Sequence, residues 1–227
     1  MRIAFVGDSL TEGIPGSSFY AILRKRLAGH TLVNLGEGND TVVSLYRRLT
    51  RLRFGDPFDV AFLWIGVNDI VGGSPWPFRA VNALWRKPPS KNHEEFRAYY
   101  RATLDLLCRH GRRVLAVSPL LKGEEVGNPW NRELEVLSGL IQELAACYAQ
   151  VEYLDVRSVF IRQLAGKPVS CYLPTSVIRV ALDALTLRSD EQIDRQSAER
   201  GLHFTLDGIH LNSAGAQLVA ETFLQII

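Results

Sequence analysis

The sequence predicts an α/β protein, a three-layer α/β/α sandwich with about five parallel strands. Two observations predict it. Short apolar runs recur along the chain, and amphipathic helical stretches separate them, the pattern of a parallel sheet covered on both faces. The first run, residues 2–6, reads as a strand. Residues 17–28 follow as a helix with Phe19, Ile22, Leu23 and Leu27 on one face and Gly29 as its stop. Residues 31–35 read as the second strand. Residues 41–52 read as a helix turning Val42, Leu45, Tyr46 and Leu49 inward. The third strand spans 59–65, and a long loop with four prolines and Trp76 and Trp85 runs from 71 to about 91.

A helix over 93–108 places Phe96, Tyr99, Tyr100, Thr103, Leu104 and Leu107 on one stripe, with Gly111 after it. Residues 114–117 read as strand four, stopped by Ser118-Pro119. Residues 132–148 read as a helix, 151–156 as strand five, and 213–226 as the last helix. Between them, 176–187 and 190–200 carry helical signals of their own. Connections in compact α/β units are usually short, so residues 160–203 are expected to form a helical cap inserted beside the site. No repeat, low-complexity tract or linker interrupts the chain, and residues 1–227 are expected to form one domain.

Composition narrows the function. Of 227 residues, 47% are hydrophobic and 22% charged, ordinary for a globular domain with a sizeable core. Twenty-six basic and 24 acidic side chains leave a formal charge of +2, which gives no electrostatic footprint for nucleic acid or an acidic membrane. Cys108, Cys147 and Cys171 have neither zinc spacing nor the even count of a disulfide framework. The apolar run 3–6 is too short for a signal peptide and no run reaches the ~20 apolar residues of a membrane span. With Met1 as the native start, the expectation is a soluble cytoplasmic protein.

Four strand ends carry chemistry. Gly7-Asp8-Ser9-Leu10 follows the first strand, and in open α/β sheets functional groups gather beyond the carboxyl ends of strands. The same residues are good turn chemistry. Asp207-Gly208-Ile209-His210 offers a base and, three residues before it, an acid to orient the ring. The competing reading has Asp207 cap a turn while His210 packs. Gly66-Val67-Asn68-Asp69 follows the third strand, where the Asn68 amide could donate to an oxyanion or merely close a turn. Residues 34–41, Asn-Leu-Gly-Glu-Gly-Asn-Asp-Thr, place glycines where a backbone N–H could complete an oxyanion hole, and Asp40 or Thr41 can cap the next helix. His203 lacks an acid nearby and reads as structural. Taken together, the four strand ends supply nucleophile, base, orienting acid and oxyanion donors for acyl transfer.

In these blocks the chain resembles the GDSL/SGNH hydrolase family, from Gly7 to His210 and the helix beyond. The resemblance implies a flavodoxin-like sheet, Ser9 as nucleophile and oxyanion donor, Asn68 as side-chain donor, and Asp207 and His210 as the rest of a triad. The family commonly has a glycine directly before Asp-Thr. Here Asn39 stands there with Gly38 before it, so either N–H could complete the hole. The implied reaction is hydrolysis of a small-molecule carboxylic ester or thioester with neither metal nor organic cofactor. Leu10, Trp76 and Trp85 are candidates for the substrate pocket. A Rossmann binder would need a fuller glycine fingerprint after strand one, and an aspartyl phosphotransferase using Asp8 would leave His210 without a role. An acyltransferase, or a non-catalytic binder of an acylated or glycosylated ligand, stays open, as do the natural substrate and oligomeric state.

Overall fold

A computed structural model describes residues 1–70, 87–173 and 177–227. Trp76 and Trp85, and most of the expected proline-rich loop, lie outside the described residues. The sheet is built from β1 (Arg2–Gly7), β2 (Thr31–Gly36), β3 (Phe58–Trp64), β4 (Gly111–Val117) and β5 (Val151–Leu154), all parallel in the order β2-β1-β3-β4-β5. This is the flavodoxin-like order, whose switch point lies between β1 and β3.

The helices are α1 (Ser9–Glu12), α2 (Phe19–Arg26), α3 (Val42–Leu49), α4 (His93–His110), α5 (Pro129–Ala145), α6 (Val156–Leu164), α7 (Val177–Thr186), α8 (Asp190–Glu199) and α9 (Ser213–Leu224). Successive strand side chains point to opposite faces, and the two faces differ in bulk. One is aromatic. Phe5 stacks on Phe62, Phe62 stacks on Phe223 of α9 at 4.4 Å, and Phe19 of α2 meets Trp64 edge-on at 5.6 Å. The other carries Ala4, Val6, Ala61, Leu63, Val114 and Ala116, and these smaller residues face the layer of α3, α4 and α5. Both faces are buried, as an all-parallel sheet requires.

Several boundaries move for local reasons. Helix α5 begins at Pro129 rather than 132, because Asn128 caps it by accepting from the Asn131 N–H and proline suits the first helical position. Strand β4 starts at Gly111, directly after α4, rather than at 114. Strand five does not continue to 156. Asp155 caps α6, accepting from the Ser158 N–H, and the Arg157 N–H donates to Ser118 Oγ, so the chain turns into a helix that apolar periodicity alone does not show. The one-turn helix α1, on which Ser9 sits, was also not expected. No helix among the described residues is long and apolar enough to cross a membrane.

Phe62 is fully buried between Phe5 and Phe223. Phe62→Ala is expected to lower the unfolding free energy by about 3–5 kcal/mol, read from urea denaturation. A loss under about 1 kcal/mol would mean that the aromatic face collapses to fill the space.

Candidate active site

The site grows from the level ends of three strands. Parallel register pairs Gly7 with Gly36 on one side and with Trp64 on the other, so the next residues of each strand emerge together. Gly7 has no room for a side chain: a Cβ there would collide with the Trp64 carbonyl and the Thr11 side chain. Asp8 caps α1, its Oδ1 accepting from the Leu10 N–H at 3.0 Å. The Thr11 and Glu12 N–H groups donate to the Asp8 carbonyl, which leaves the Ser9 N–H as the first-turn donor with no acceptor among the described residues.

His210 arrives from 201 residues away. Its Nε2 lies 3.1 Å from Ser9 Oγ, and its Nδ1 lies 2.8 Å from Asp207 Oδ2. With Nδ1–H donating to the carboxylate, the neutral ring presents Nε2 as an acceptor to the serine hydroxyl. Asp207 Oδ1 accepts from the Ile209 and His210 N–H groups at 3.0 and 2.9 Å. One carboxylate therefore does both things that the sequence left as alternatives, closing the turn with one oxygen and holding the ring with the other. Gly208 permits that turn: its φ is +87°, and a Cβ would run into Leu173 and the Tyr172 carbonyl.

The loop after β2 supplies the opposite wall. Asn39 holds a left-handed φ of 62°. The Gly38 backbone lies against the Glu12 carboxylate, so that a Cβ at Gly38 would meet it. Thr41, not Asp40, caps α3, in a reciprocal box with Ser44. Asp40 is fully buried and turned to cations: Arg48 donates to Oδ2 through Nε and Nη2 at 2.9 and 2.8 Å, and Lys87 Nζ lies 3.1 Å from Oδ1. Lys87 also donates to Glu37 and to the Gly38 carbonyl, at 2.6 and 2.7 Å. From β3, Asn68 donates through Nδ2 to the Asp40 carbonyl at 2.9 Å and makes a long 3.4 Å contact with Asp8 Oδ2. Arg48 and Lys87 carry no local motif and were not singled out from sequence. Leu10, expected at the pocket, is buried in the apolar core. His203 donates through its backbone to Glu124, and its Nε2 lies 2.7 Å from the Pro168 carbonyl.

The family model of GDSL-like lipase/acylhydrolase proteins matches residues 5–218. The chain belongs to the GDSL-like lipase/acylhydrolase family. Membership in this GDSL-like family makes it an ester-hydrolysing enzyme. No curated protein compared by sequence matches the chain. Among solved structures, it is similar to the acetylxylan esterase Axe2 from Geobacillus stearothermophilus, with TM-score 0.68 and 17% identity, covering 99% of this chain and 92% of that one. It is similar to LAE5, an alpha/beta hydrolase enzyme from the metagenome of Lake Arreo, Spain (0.68, 19%, 99% and 93%). The acetyl xylan esterase AlAXEase is also similar, at 0.67 and 19% identity, with full coverage of both chains. At these identities the likenesses establish the fold.

Burial sets the protonation of the GDSL-type site. Desolvation pushes the Asp8 and Asp69 carboxyls up to about 7, although Asp8 accepts from Leu10 and Asp69 from Val42 and Ser90. Burial would raise Asp207 too, but His210 and the N–H donors of His210 and Ile209 outweigh it and hold that carboxyl below its usual value. For His210, burial disfavours the imidazolium, yet Asp207, by charge and hydrogen bond, with Asp8 and Asp183 adding, raises it above 6.5.

These directions fix the sign of the pH dependence of stability. A group whose folded pKa is raised contributes stability that is complete below its unfolded pKa and lost as pH climbs through the folded value. Asp8 and Asp69 therefore withdraw stability between 3.8 and about 7, and His210 withdraws it above 6.5. Asp207 acts oppositely, losing its contribution only as the pH falls through its lowered value. The urea midpoint is expected to fall between about pH 5.5 and about pH 8; a midpoint that rises over this range would contradict the assignment.

Proposed function

We propose that the enzyme cleaves carboxylic esters or thioesters through an acyl-enzyme on Ser9. The observation that carries this reading is the unbroken chain Ser9 Oγ–His210 Nε2, His210 Nδ1–Asp207 Oδ2 at 3.1 and 2.8 Å. Ser9 Oγ attacks the carbonyl carbon while His210 Nε2 takes its proton, and Asp207 stabilises the imidazolium that forms. His210 then protonates the leaving oxygen or sulfur. A water, deprotonated by the same ring, attacks the acyl carbon and frees Ser9.

The oxyanion is held by the Ser9 N–H, the Asn39 N–H and Asn68. Of the two backbone candidates Asn39 is favoured, its backbone held in the left-handed region at φ 62° while Gly38 lies against the Glu12 carboxylate. Asn68 keeps one amide hydrogen on the Asp40 carbonyl, and the long contact to Asp8 leaves the other able to turn to the oxyanion. The segment with α7 and α8 is read as the cap beside the site, its Asp183 tied to Arg200 at 2.7 Å, and Arg200 tied to the Leu206 carbonyl at 2.9 Å. Acetylated sugars head the substrates to test, since two structurally similar proteins are acetylxylan esterases.

Hydrolysis of p-nitrophenyl acetate, butyrate and octanoate, and release of acetate from acetylated xylo-oligosaccharides, test the proposal. Ser9→Ala and His210→Ala are each expected to lower kcat by ~10⁴-fold or more, and Asn68→Ala by ~10²–10³-fold. The acid limb of kcat/KM should fall above pH 6.5, because the base must be neutral and its pKa is raised. Turnover surviving in Ser9→Ala would refute the nucleophile assignment.

A further inference from the structure

Glu124 lies in the connection between β4 and α5 and is 1% exposed. No cation pairs with it among the described residues; backbone and hydroxyl donors satisfy it instead. Oε1 accepts from the Phe204 N–H, the Thr205 N–H and Thr205 Oγ1 at 2.8, 2.9 and 2.8 Å, and Oε2 accepts from the His203 N–H at 2.7 Å. Four donors converge on this one buried carboxyl group and satisfy it without a cation.

Those donors belong to the strand of chain that leads into Asp207. The Thr205 hydroxyl, having donated to Glu124, accepts from the Gly208 N–H at 3.1 Å. From the residue before Glu124, the Gly123 N–H donates to the Gly208 carbonyl at 2.6 Å. Residues 123–124 thus grip the turn on both sides of Gly208, the glycine between Asp207 and His210. The grip is itself anchored in α5. Asn131 accepts from the Lys122 N–H at 2.9 Å and donates to the Gly123 and Glu125 carbonyls at 3.1 and 2.9 Å.

We propose that Glu124 is a positioning residue, whose carboxylate sets the 203–210 turn so that His210 meets Asp207 and Ser9 together. The assignment rests on the reading of His210 as the base. The grip falls on Gly208, between Asp207 and His210, so loosening it alters both the Asp207–His210 contact and the Ser9–His210 approach while leaving the sheet intact. A misplacement of about 1 Å costs on the order of 10²-fold in rate.

The test compares the full-length protein with Glu124→Gln and Glu124→Asp. Glutamine is isosteric but sets an NH₂ group against a backbone N–H, whereas aspartate keeps both acceptors on a shorter stem. Three readouts are taken: kcat and KM on an ester that the wild type hydrolyses, the urea midpoint, and the His210 titration followed by ¹⁵N-histidine NMR. Glu124→Gln is expected to lower kcat by roughly 10–100-fold with KM within about threefold. His210 should titrate at a lower pH than in the wild type, because a loosened turn weakens its contact with Asp207. Glu124→Asp should restore part of kcat. A lower urea midpoint with wild-type kcat and an unmoved His210 titration would overturn the proposal and leave Glu124 as a stabilising residue alone. If Glu124→Gln does not fold, Thr205→Val, which removes one donor to the carboxylate and the acceptor of the Gly208 N–H, answers the same question: a moved titration supports the assignment and an unmoved one overturns it. A wild type that hydrolyses no ester refutes the proposed function, while the His210 titration still decides for or against Glu124.

Discussion

Parallel register is the constraint on which the site depends. Pairing Gly7 with Gly36 and with Trp64 brings three strands to one level, so residues 8–10, 37–41 and 66–69 enter the same space without any long-range search. A slip of one residue would turn every side chain to the opposite face and set these ends at different heights. The aromatic stack of Phe5, Phe62 and Phe223 resists such a slip, because the opposite face offers only alanine, valine and leucine in the matching layers. Packing deep in the sheet thereby holds the geometry at its edge.

Charge is the second organising force. Asp8, Asp40, Asp69 and Asp207 are all buried, and each is accommodated in its own way. Asp40 is met by Arg48 and Lys87. Asp207 is met by His210 and two backbone donors. Asp8 accepts from Leu10 and Asn68, Asp69 accepts from Val42 and Ser90, and burial raises both to about 7. Burial disfavours charge on these carboxylates, and Asp8 and Asp69 are the two it raises, with the Asp40 charge adding to both.

Much of this was legible because it is local chemistry. Ser9 and Asn68 were marked by glycine and Asx residues at the end of an apolar run, where the chain has to turn, and the Asp207–His210 pair by an acid three residues before a base. Strand existence followed from apolar runs and the helices from their periodicity, while the flavodoxin-like sheet followed from the family resemblance. Elements that depend on capping were less legible. Helix α1 has only four residues, too few for a period, and α6 continues the apolar run of β5, so only the Asp155 cap marks where one ends and the other begins.

By itself, then, the sequence determined the family, the parallel α/β architecture and the short blocks from which a site could be assembled, since all of these are written in contiguous residues. The tertiary structure decided which groups meet. It set the Gly38 backbone against Glu12, moved Leu10 into the core, gave Asp40 to Arg48 and Lys87, and set Glu124 against residues 79 to 81 positions away. These are contacts between side chains with no shared motif and no fixed spacing. They exist only after the sheet has closed and its helices have packed, which is why no pattern along the chain announces them.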